Sequence, residues 1–348
     1  MIFETTFSAS HIDSISLKYK IDKQLVQKQV AALALLSHLS HNGLQFIFKG
    51  GTSLLCLLTP PTRLSLDIDI TVAPDTEIMN TIEIISRLGP FKRFEEDKRN
   101  SVHQIPKSHF KFFFDSFIVR DKEEYILLDV LYEENLYPST QQSIIPSDFL
   151  LTEHEVSVTT PTIDSILGDK LTAYAPNTTG IPYERGSVSM NMEIIKQLFD
   201  ISNLFDYCSG VDMIAESFYR ICGKEIIYRQ QEGVAVEDVL DDIFNTSIIL
   251  LERNEKDLKF SELLTGVNRL KSYIIQKGFH LDYAIIAAGK AAYLSRLIKF
   301  RAKTAEKYID FSSVDGLEFK KPEYIRFNKL RRTNPQAFFY WYKALDLK

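Results

Sequence analysis

Two aspartates stand two residues apart in the segment 63–70, RLSLDIDI. Successive side chains of a strand point to opposite faces, so this alternation predicts one apolar and one polar face. The polar face would carry Arg63, Ser65, Asp67 and Asp69. Aspartate is disfavoured in strands, whereas Mg²⁺ binds one or two carboxylates together with substrate phosphates. We therefore predict that Asp67 and Asp69 bind Mg²⁺ or Mn²⁺. The alternative is a polar face that is simply solvated.

A third carboxylate, Asp129, lies in the middle of the apolar run 124–132, EYILLDVLY. An unpaired carboxylate in a strand that is apolar on both faces loses much of its hydration free energy. A metal ion, or an ion pair with a cation such as Arg63, would compensate for this loss. Three carboxylates from two neighbouring strands would form a two-metal arrangement for in-line phosphoryl displacement. We predict Asp129 as the third metal ligand, with the Arg63 ion pair as the alternative.

A glycine pair lies between a predicted strand and a predicted helix in the segment 48–53, FKGGTS. Glycines let backbone amides approach a ligand, and the start of a helix offers unpaired N–H groups to phosphate. We predict that Gly50 and Gly51 approach a nucleotide phosphate, and that Thr52 or Ser53 caps the helix and contacts a phosphate oxygen. The segment lacks the G-x-x-x-x-G-K-[ST] pattern of a P-loop. The alternative is an ordinary strand–turn–helix connection.

Together, the segments 49–54, KGGTSL, and 63–69, RLSLDID, resemble the nucleotidyltransferase fold of the DNA-polymerase-β type. The R-x-S-x-D-x-D form after K-G-G-T is similar to the AbiEii toxin family of abortive-infection and toxin–antitoxin systems. Two later segments also resemble that family. The segment 168–173, GDKLTA, resembles the G-E-K-x-x-A helix of the family. The segment 196–201, KQLFDI, resembles its R/K-D-x-x-D-h pattern.

The later segments imply two further active-site residues. By resemblance, Lys170 contacts the nucleotide phosphates and Asp200 belongs to the active site. Asp169 and Gln197 depart from the family pattern, which has Glu and Asp at these places, and no role is carried over to them. From the residues alone, Lys170 would be a solvated helix lysine. Asp200 would form an exposed i,i+4 pair with Lys196.

The resemblance implies a reaction that moves a nucleoside monophosphate from an NTP to an acceptor and releases pyrophosphate. It makes Asp129 a metal ligand that helps to activate the acceptor hydroxyl. The phosphate-binding set would be Gly50, Gly51, Thr52, Ser53, Arg63 and Ser65. It further implies a toxin with tRNA as acceptor and a cognate antitoxin as partner. Two alternatives stay open: a phosphotransferase acting on protein, and a non-catalytic nucleotide- or RNA-binding module.

The elements that must position these residues are mixed in the first part of the chain and helical afterwards. Apolar spacing predicts a helix over 22–41, strands over 44–48, 63–72, 111–119 and 124–132, and mainly helices from about Thr162. We predict a nucleotidyltransferase domain over 1–207, of the α+β (α/β) class with a mixed sheet flanked by helices. An all-α helical bundle would follow over 208–348.

The composition agrees with an ordinary globular protein. The 348 residues include 41 Lys and Arg and 46 Asp and Glu, which gives a net charge of −5. The overall charge therefore does not favour binding to nucleic acid. Six cations in 317–333 alternate with aromatic residues and form either an RNA-binding patch or a solvated helix face. The three cysteines form no C-x-x-C motif. We see no membrane-spanning or leader pattern and expect no membrane contact and a cytoplasmic location.

Overall fold

The computed structural model describes residues 1–97, 105–275 and 278–347. The chain divides into two compact units, one formed by Met1–Thr162 with Ser272–Lys277 and the other by Ile163–Lys271 with Gly278–Lys348. The sequence-based boundary after residue 207 therefore falls inside the second unit. The reason is a close helix contact there: a Cβ on Gly168 would lie 2.5 Å from the carbonyl oxygen of Ile214. This contact joins segments that the sequence assigned to different domains.

The first unit combines helices with strands. Its helices are α1 (Ala9–Tyr19), α2 (Lys23–His41), α3 (Leu54–Leu57) and α4 (Met79–Ile85). Its strands are β1 (Ile47–Lys49), β2 (Ile68–Val72), β3 (Phe91–Glu96), β4 (Lys107–Asp115), β5 (Glu123–Tyr132), β6 (Thr140–Ile144) and β7 (Ser157–Pro161). The predicted helix over 22–41 is confirmed, because the Asp22 side chain accepts a hydrogen bond from the Gln24 amide and begins α2.

Among the described residues, five strands form a mixed sheet in the order β1-β2-β5-β4-β3. β2 runs parallel to β5, and the other neighbouring pairs are antiparallel. One face packs on α2 to form the core, with aliphatic and aromatic side chains that alternate along each strand. That face carries Phe48, Ile68, Ile70, Leu128, Val130, Phe110, Phe112 and Phe114. The polar residues between them lie on the opposite, open face.

The predicted strand over 63–72 is shorter than the sequence pattern indicates. Only Ile68–Val72 joins the sheet, whereas Arg63 forms an isolated antiparallel bridge with Ile274. The Leu64 amide donates to the Tyr273 carbonyl oxygen at 2.9 Å, and the Ile275 amide donates to the Thr62 carbonyl oxygen at 3.0 Å. A segment more than 200 residues downstream thus takes the hydrogen bonds that a longer β2 would have offered to its neighbours.

The second unit is largely helical, as the sequence predicts. Its helices are α5 (Ile163–Ala173), α6 (Asn191–Tyr207), α7 (Val211–Tyr228), α8 (Val236–Glu252), α9 (Leu258–Leu270), α10 (Leu281–Lys299), α11 (Leu330–Thr333) and α12 (Pro335–Asp346). A short hairpin interrupts them, formed by β8 (Glu184–Arg185) and β9 (Val188–Ser189). No helix in the part of the chain that the structure describes is long and apolar enough to cross a membrane. The mixed α/β class with following helices is confirmed.

Candidate active site

Four polar residues form a row across the open face of the sheet. Asp69 on β2 is the register partner of Lys49 on β1 and of Asp129 on β5. Asp129 is in turn the register partner of His109 on β4. Neighbouring strands lie about 4.8 Å apart, so the two carboxylates begin from adjacent backbone positions. Strand pairing therefore brings together Asp69 and Asp129, which are 60 positions apart in the sequence.

Asp67 lies just before this row. It is exposed and directly precedes β2, and its carbonyl oxygen accepts a 2.5 Å hydrogen bond from the Thr52 hydroxyl. Within the described ranges, no group of three His, Cys, Asp or Glu side chains is arranged to hold a metal ion by protein atoms alone. Mg²⁺ usually needs only one or two carboxylates and takes its remaining ligands from water and substrate phosphates. The oxygen donors of Asp69 and Asp129 fit that mode of binding.

The first glycine of the turn packs directly against the Asp69 side chain. Gly50 has a φ of +74°, and a Cβ there would overlap the Asp69 carboxylate, at 2.8 Å from Cγ and 3.0 Å from Cβ. Glycine is required for both reasons, since it tolerates this φ and leaves the space free. The Ser53 hydroxyl donates to the Gly50 carbonyl oxygen at 2.9 Å. The turn is thus fixed over one of the predicted metal ligands.

The two hydroxyl residues of the turn are buried, with 0% exposure for both Thr52 and Ser53. Ser53 is the N-cap residue of α3 but makes no side-chain capping hydrogen bond. The expectation that Thr52 or Ser53 caps this helix through its side chain is therefore wrong. The hydroxyls instead donate to backbone carbonyls of Asp67 and Gly50 and fix the turn beside β2.

The second glycine faces the residues that precede β2. A Cβ on Gly51 would lie 2.5 Å from Nη2 of Arg63 and 2.7 Å from Oγ of Ser65. Arg63 is only 4% exposed and donates from Nη1 to the Leu64 carbonyl oxygen at 3.0 Å. The Ser65 amide donates to Oε1 of Gln29 at 3.2 Å, which connects this segment to α2. The structure thus brings the predicted phosphate-binding residues around one turn.

Asp129 has a hydrogen-bond partner that the sequence analysis did not identify. Nδ1 of His109 lies 2.7 Å from Oδ1 of Asp129, with side-chain exposures of 17% and 30%. Asp129 is thus partly exposed on the open face, and the strand is not closed on both faces as expected. The signal for His109 was its place in the alternating segment 107–114, KSHFKFFF, but its register with Asp129 is not visible in that pattern.

Lys170 and Asp200 form a buried ion pair in the second unit. Nζ of Lys170 lies 3.0 Å from Oδ2 of Asp200, with side-chain exposures of 7% and 0%. Lys170 also donates to Oε1 of Gln197 at 3.1 Å. Lys196 pairs with Glu193 at 2.8 Å. The two alternative predictions, a solvated Lys170 and an exposed ion pair between Lys196 and Asp200, are therefore both wrong, because Lys170 and Asp200 are buried.

Comparison with known proteins decides the family. The family model described as the nucleotidyl transferase AbiEii toxin of type IV toxin–antitoxin systems matches residues 34–264. This chain belongs to the AbiEii family. The match covers both the sheet residues and the Lys170–Asp200 pair, and it confirms the resemblance that the KGGT and RLSLDID motifs carry.

A solved structure has the same fold. MenT4, a nucleotidyltransferase toxin from Mycobacterium tuberculosis H37Rv, aligns with a TM-score of 0.55 at 13% identity, over 94% of this chain and 98% of its own. No match is found among curated protein sequences. As a member of the AbiEii family, the protein is a nucleotidyltransferase toxin of a type IV toxin–antitoxin system, and the family implies an NTP substrate and a cognate antitoxin.

Proposed function

We propose that this AbiEii toxin transfers a nucleoside monophosphate from an NTP to an RNA acceptor, tRNA foremost, in a Mg²⁺-dependent reaction. The adjacent positions of Asp69 and Asp129, with the Gly50 turn packed on Asp69, support this proposal most directly. Two carboxylates on neighbouring strands, beside a glycine turn, are suited to a metal-bound triphosphate. A binding module would gain nothing from their mutual repulsion.

In the proposed reaction, an acceptor hydroxyl oxygen forms a bond to the α-phosphorus, and the bond from that phosphorus to the bridging oxygen breaks. Pyrophosphate leaves, and Asp129 accepts the proton of the attacking hydroxyl. A divalent ion bound by Asp69 and Asp129, with Asp67 just before β2 as a further oxygen donor, would supply charge neutralisation on the triphosphate. The buried guanidinium of Arg63 would attract the phosphates that the turn binds.

The remaining predicted residues take supporting roles in this proposal. Gly50 and Gly51 give the phosphates access to the backbone of the turn, while Thr52 and Ser53 keep the turn rigid and Ser65 offers a hydroxyl beside Gly51. From the family resemblance, we also propose that Lys170 binds nucleotide phosphates and that Asp200 positions its ammonium group. The 3.0 Å contact within the second unit supports the positioning role.

An RNA acceptor is supported by the basic segment, residues 317–333. It carries six Lys and Arg and two Glu, a net charge of +4 in a chain of −5. Of the cations, Lys320, Lys321, Arg326, Lys329 and Arg332 are exposed. Phe319 and Phe327 are 6% and 5% exposed, so they pack in the core of the second unit and are not free to stack on bases. Only Tyr324 among its three aromatic residues is partly exposed, so the segment is suited mainly to phosphate contacts.

Labelled nucleotides test the proposal. Each NTP carrying ³²P at the α position is incubated with Mg²⁺, total tRNA and either the native protein or its Asp69→Asn or Asp129→Asn variant. Asp115→Asn is the matched control, because Asp115 is an exposed carboxylate at the end of β4 that pairs with Lys92. We expect label on RNA with the native protein and with the control, but not with the two site variants.

A second label separates the alternatives. With ³²P at the γ position, nucleotidyl transfer releases the label as pyrophosphate, whereas a phosphotransferase moves it to the acceptor. Label from the γ position on protein would replace our proposal with a kinase-like reaction. Tight NTP binding without any transfer to RNA or protein would favour the non-catalytic module.

A further inference from the structure

We propose that His109 is a positioning residue for Asp129, which it holds in the orientation that the nucleotidyl transfer requires. This inference rests on the proposed function of Asp129. The basis is the 2.7 Å contact between Nδ1 of His109 and Oδ1 of Asp129. A carboxylate that binds a metal ion only accepts hydrogen bonds, so for the proposed metal-binding state we assign Nδ1 as the donor in this contact.

The backbone of His109 is fixed from both sides. It lies on β4, which pairs with β5 on one side and with β3 on the other. Its register partner on β5 is Asp129 itself, and its carbonyl oxygen accepts a 2.7 Å hydrogen bond from the Asp97 amide. The ring is 17% exposed, so its position has little freedom. A donor on an interior strand can orient a neighbouring carboxylate more rigidly than a loop residue can.

The position of Asp129 explains why such a donor is needed. Its register neighbour on β2 is Asp69, a second carboxylate, and its register neighbour on β4 is His109. Like charges on adjacent strands repel each other, which favours rotation of the carboxylates away from one another. The Nδ1–H group of His109 stabilises one rotamer of Asp129 by binding Oδ1.

Loss of this donor has a characteristic effect. Removing a side chain that orients a metal ligand typically lowers metal affinity or activity by about 10- to 100-fold. We expect His109→Ala to lower kcat by about 10- to 100-fold and to weaken Mn²⁺ binding by a similar factor. KM for the NTP should change by less than about threefold, because His109 is not proposed to touch the nucleotide.

The experiment compares His109→Ala with His109→Asn, since the Asn side-chain amide offers a donor near the place of Nδ1. Lys111→Ala is the matched control, because Lys111 lies two residues further along the same face of β4 and pairs with Asp97. Each protein is assayed for kcat and KM, for thermal midpoint in EDTA, and for Mn²⁺ binding by EPR with an NTP analogue that is not cleaved between the α- and β-phosphates. We expect Asn to restore most of the activity and Mn²⁺ affinity that Ala loses.

A double-mutant cycle shows whether His109 acts through Asp129. If it does, His109→Ala added to Asp129→Asn lowers Mn²⁺ affinity no further than Asp129→Asn alone. Native kcat and native Mn²⁺ affinity in His109→Ala would overturn the inference, as would additive losses in the cycle. If Asp129→Asn is itself inactive while His109→Ala is native, this inference fails and the proposed function stands. If Asp129→Asn keeps native activity, the proposed role of Asp129 fails first.

Discussion

Substitution of Gly50 by alanine separates the folding role of the turn from its role at the site. The added Cβ would overlap the Asp69 carboxylate, at 2.8 Å from Cγ, on a backbone whose φ is +74°. Gly43 provides a matched control, because its φ is +76° and a Cβ there would meet no heavy atom within 4 Å. The two substitutions thus impose nearly the same backbone strain, and only one of them adds a contact with Asp69.

The expected magnitudes follow from these distances. An alanine in the left-handed region costs about 1–2 kcal/mol, so both variants should lose about that much unfolding free energy. At position 50, Cγ of Asp69 must also move by about 0.7 Å or more to reach an ordinary carbon–carbon contact of about 3.5 Å. The carboxylate is the end of a side chain and can rotate away, which adds about 0.5–1.5 kcal/mol. A misplacement near 1 Å, however, can lower a rate by about 100-fold.

The assay therefore measures two quantities on each variant. In urea unfolding, the losses of unfolding free energy in Gly50→Ala and Gly43→Ala should differ by no more than about 1.5 kcal/mol. Transfer of α-labelled nucleotide at saturating NTP should fall by about 100-fold in Gly50→Ala and stay within about twofold of native in Gly43→Ala. Native turnover in a folded Gly50→Ala protein would refute the reasoning, because the Asp69 carboxylate would then not need its observed position.

Three further outcomes are expected. Asp67→Asn should change the unfolding free energy in EDTA by no more than about 0.5 kcal/mol, because Asp67 is exposed, and it should lower turnover. A large fall of the melting temperature in EDTA would contradict the metal-binding role. Asp200→Asn should cost about 3 kcal/mol by removing the charge beside Lys170, whereas Lys170→Met with Asp200→Leu should regain much of this in urea unfolding without regaining activity. Burial raises the pKa of the Glu124 carboxyl, but hydrogen bonds from Lys122 at 2.5 Å and Lys28 at 3.0 Å outweigh it and hold this pKa below its ordinary value of 4.5. The carboxylate therefore stabilises the fold above about pH 4.5 and loses this effect as pH falls through its lowered pKa. Glu124→Gln should lower the free energy of unfolding by about 1–2 kcal/mol at pH 7 and by progressively less in acid, as measured by urea unfolding across pH.

The local sequence was enough to predict much of the fold. Apolar spacing located α2, and the apolar run 124–132 located β5, because both signals arise from residues close together in the chain. The motifs KGGT and RLSLDID were enough to identify the family, since they are short and continuous. Alternation in the segment 63–70 likewise separated the apolar side chains of β2 from its polar ones.

The beginning of β2 was decided by a distant segment. Alternation alone predicted a strand from Arg63, but that alternation is equally compatible with pairing to residues 272–275. Local propensity does not specify which of two partners takes the backbone hydrogen bonds of a segment. That choice depends on the free energy of packing the whole unit.

The arrangement of the site depended on tertiary structure in the same way. The sequence determined which carboxylates the protein has, and that Asp67 and Asp69 stand close together on the chain. Only strand register placed Asp129 between Asp69 and His109, and only helix packing brought Lys170 on α5 to Asp200 on α6. The physical reason is that residue type and period are local properties, whereas contacts between segments far apart in sequence are fixed by the burial and hydrogen bonding of the folded chain as a whole.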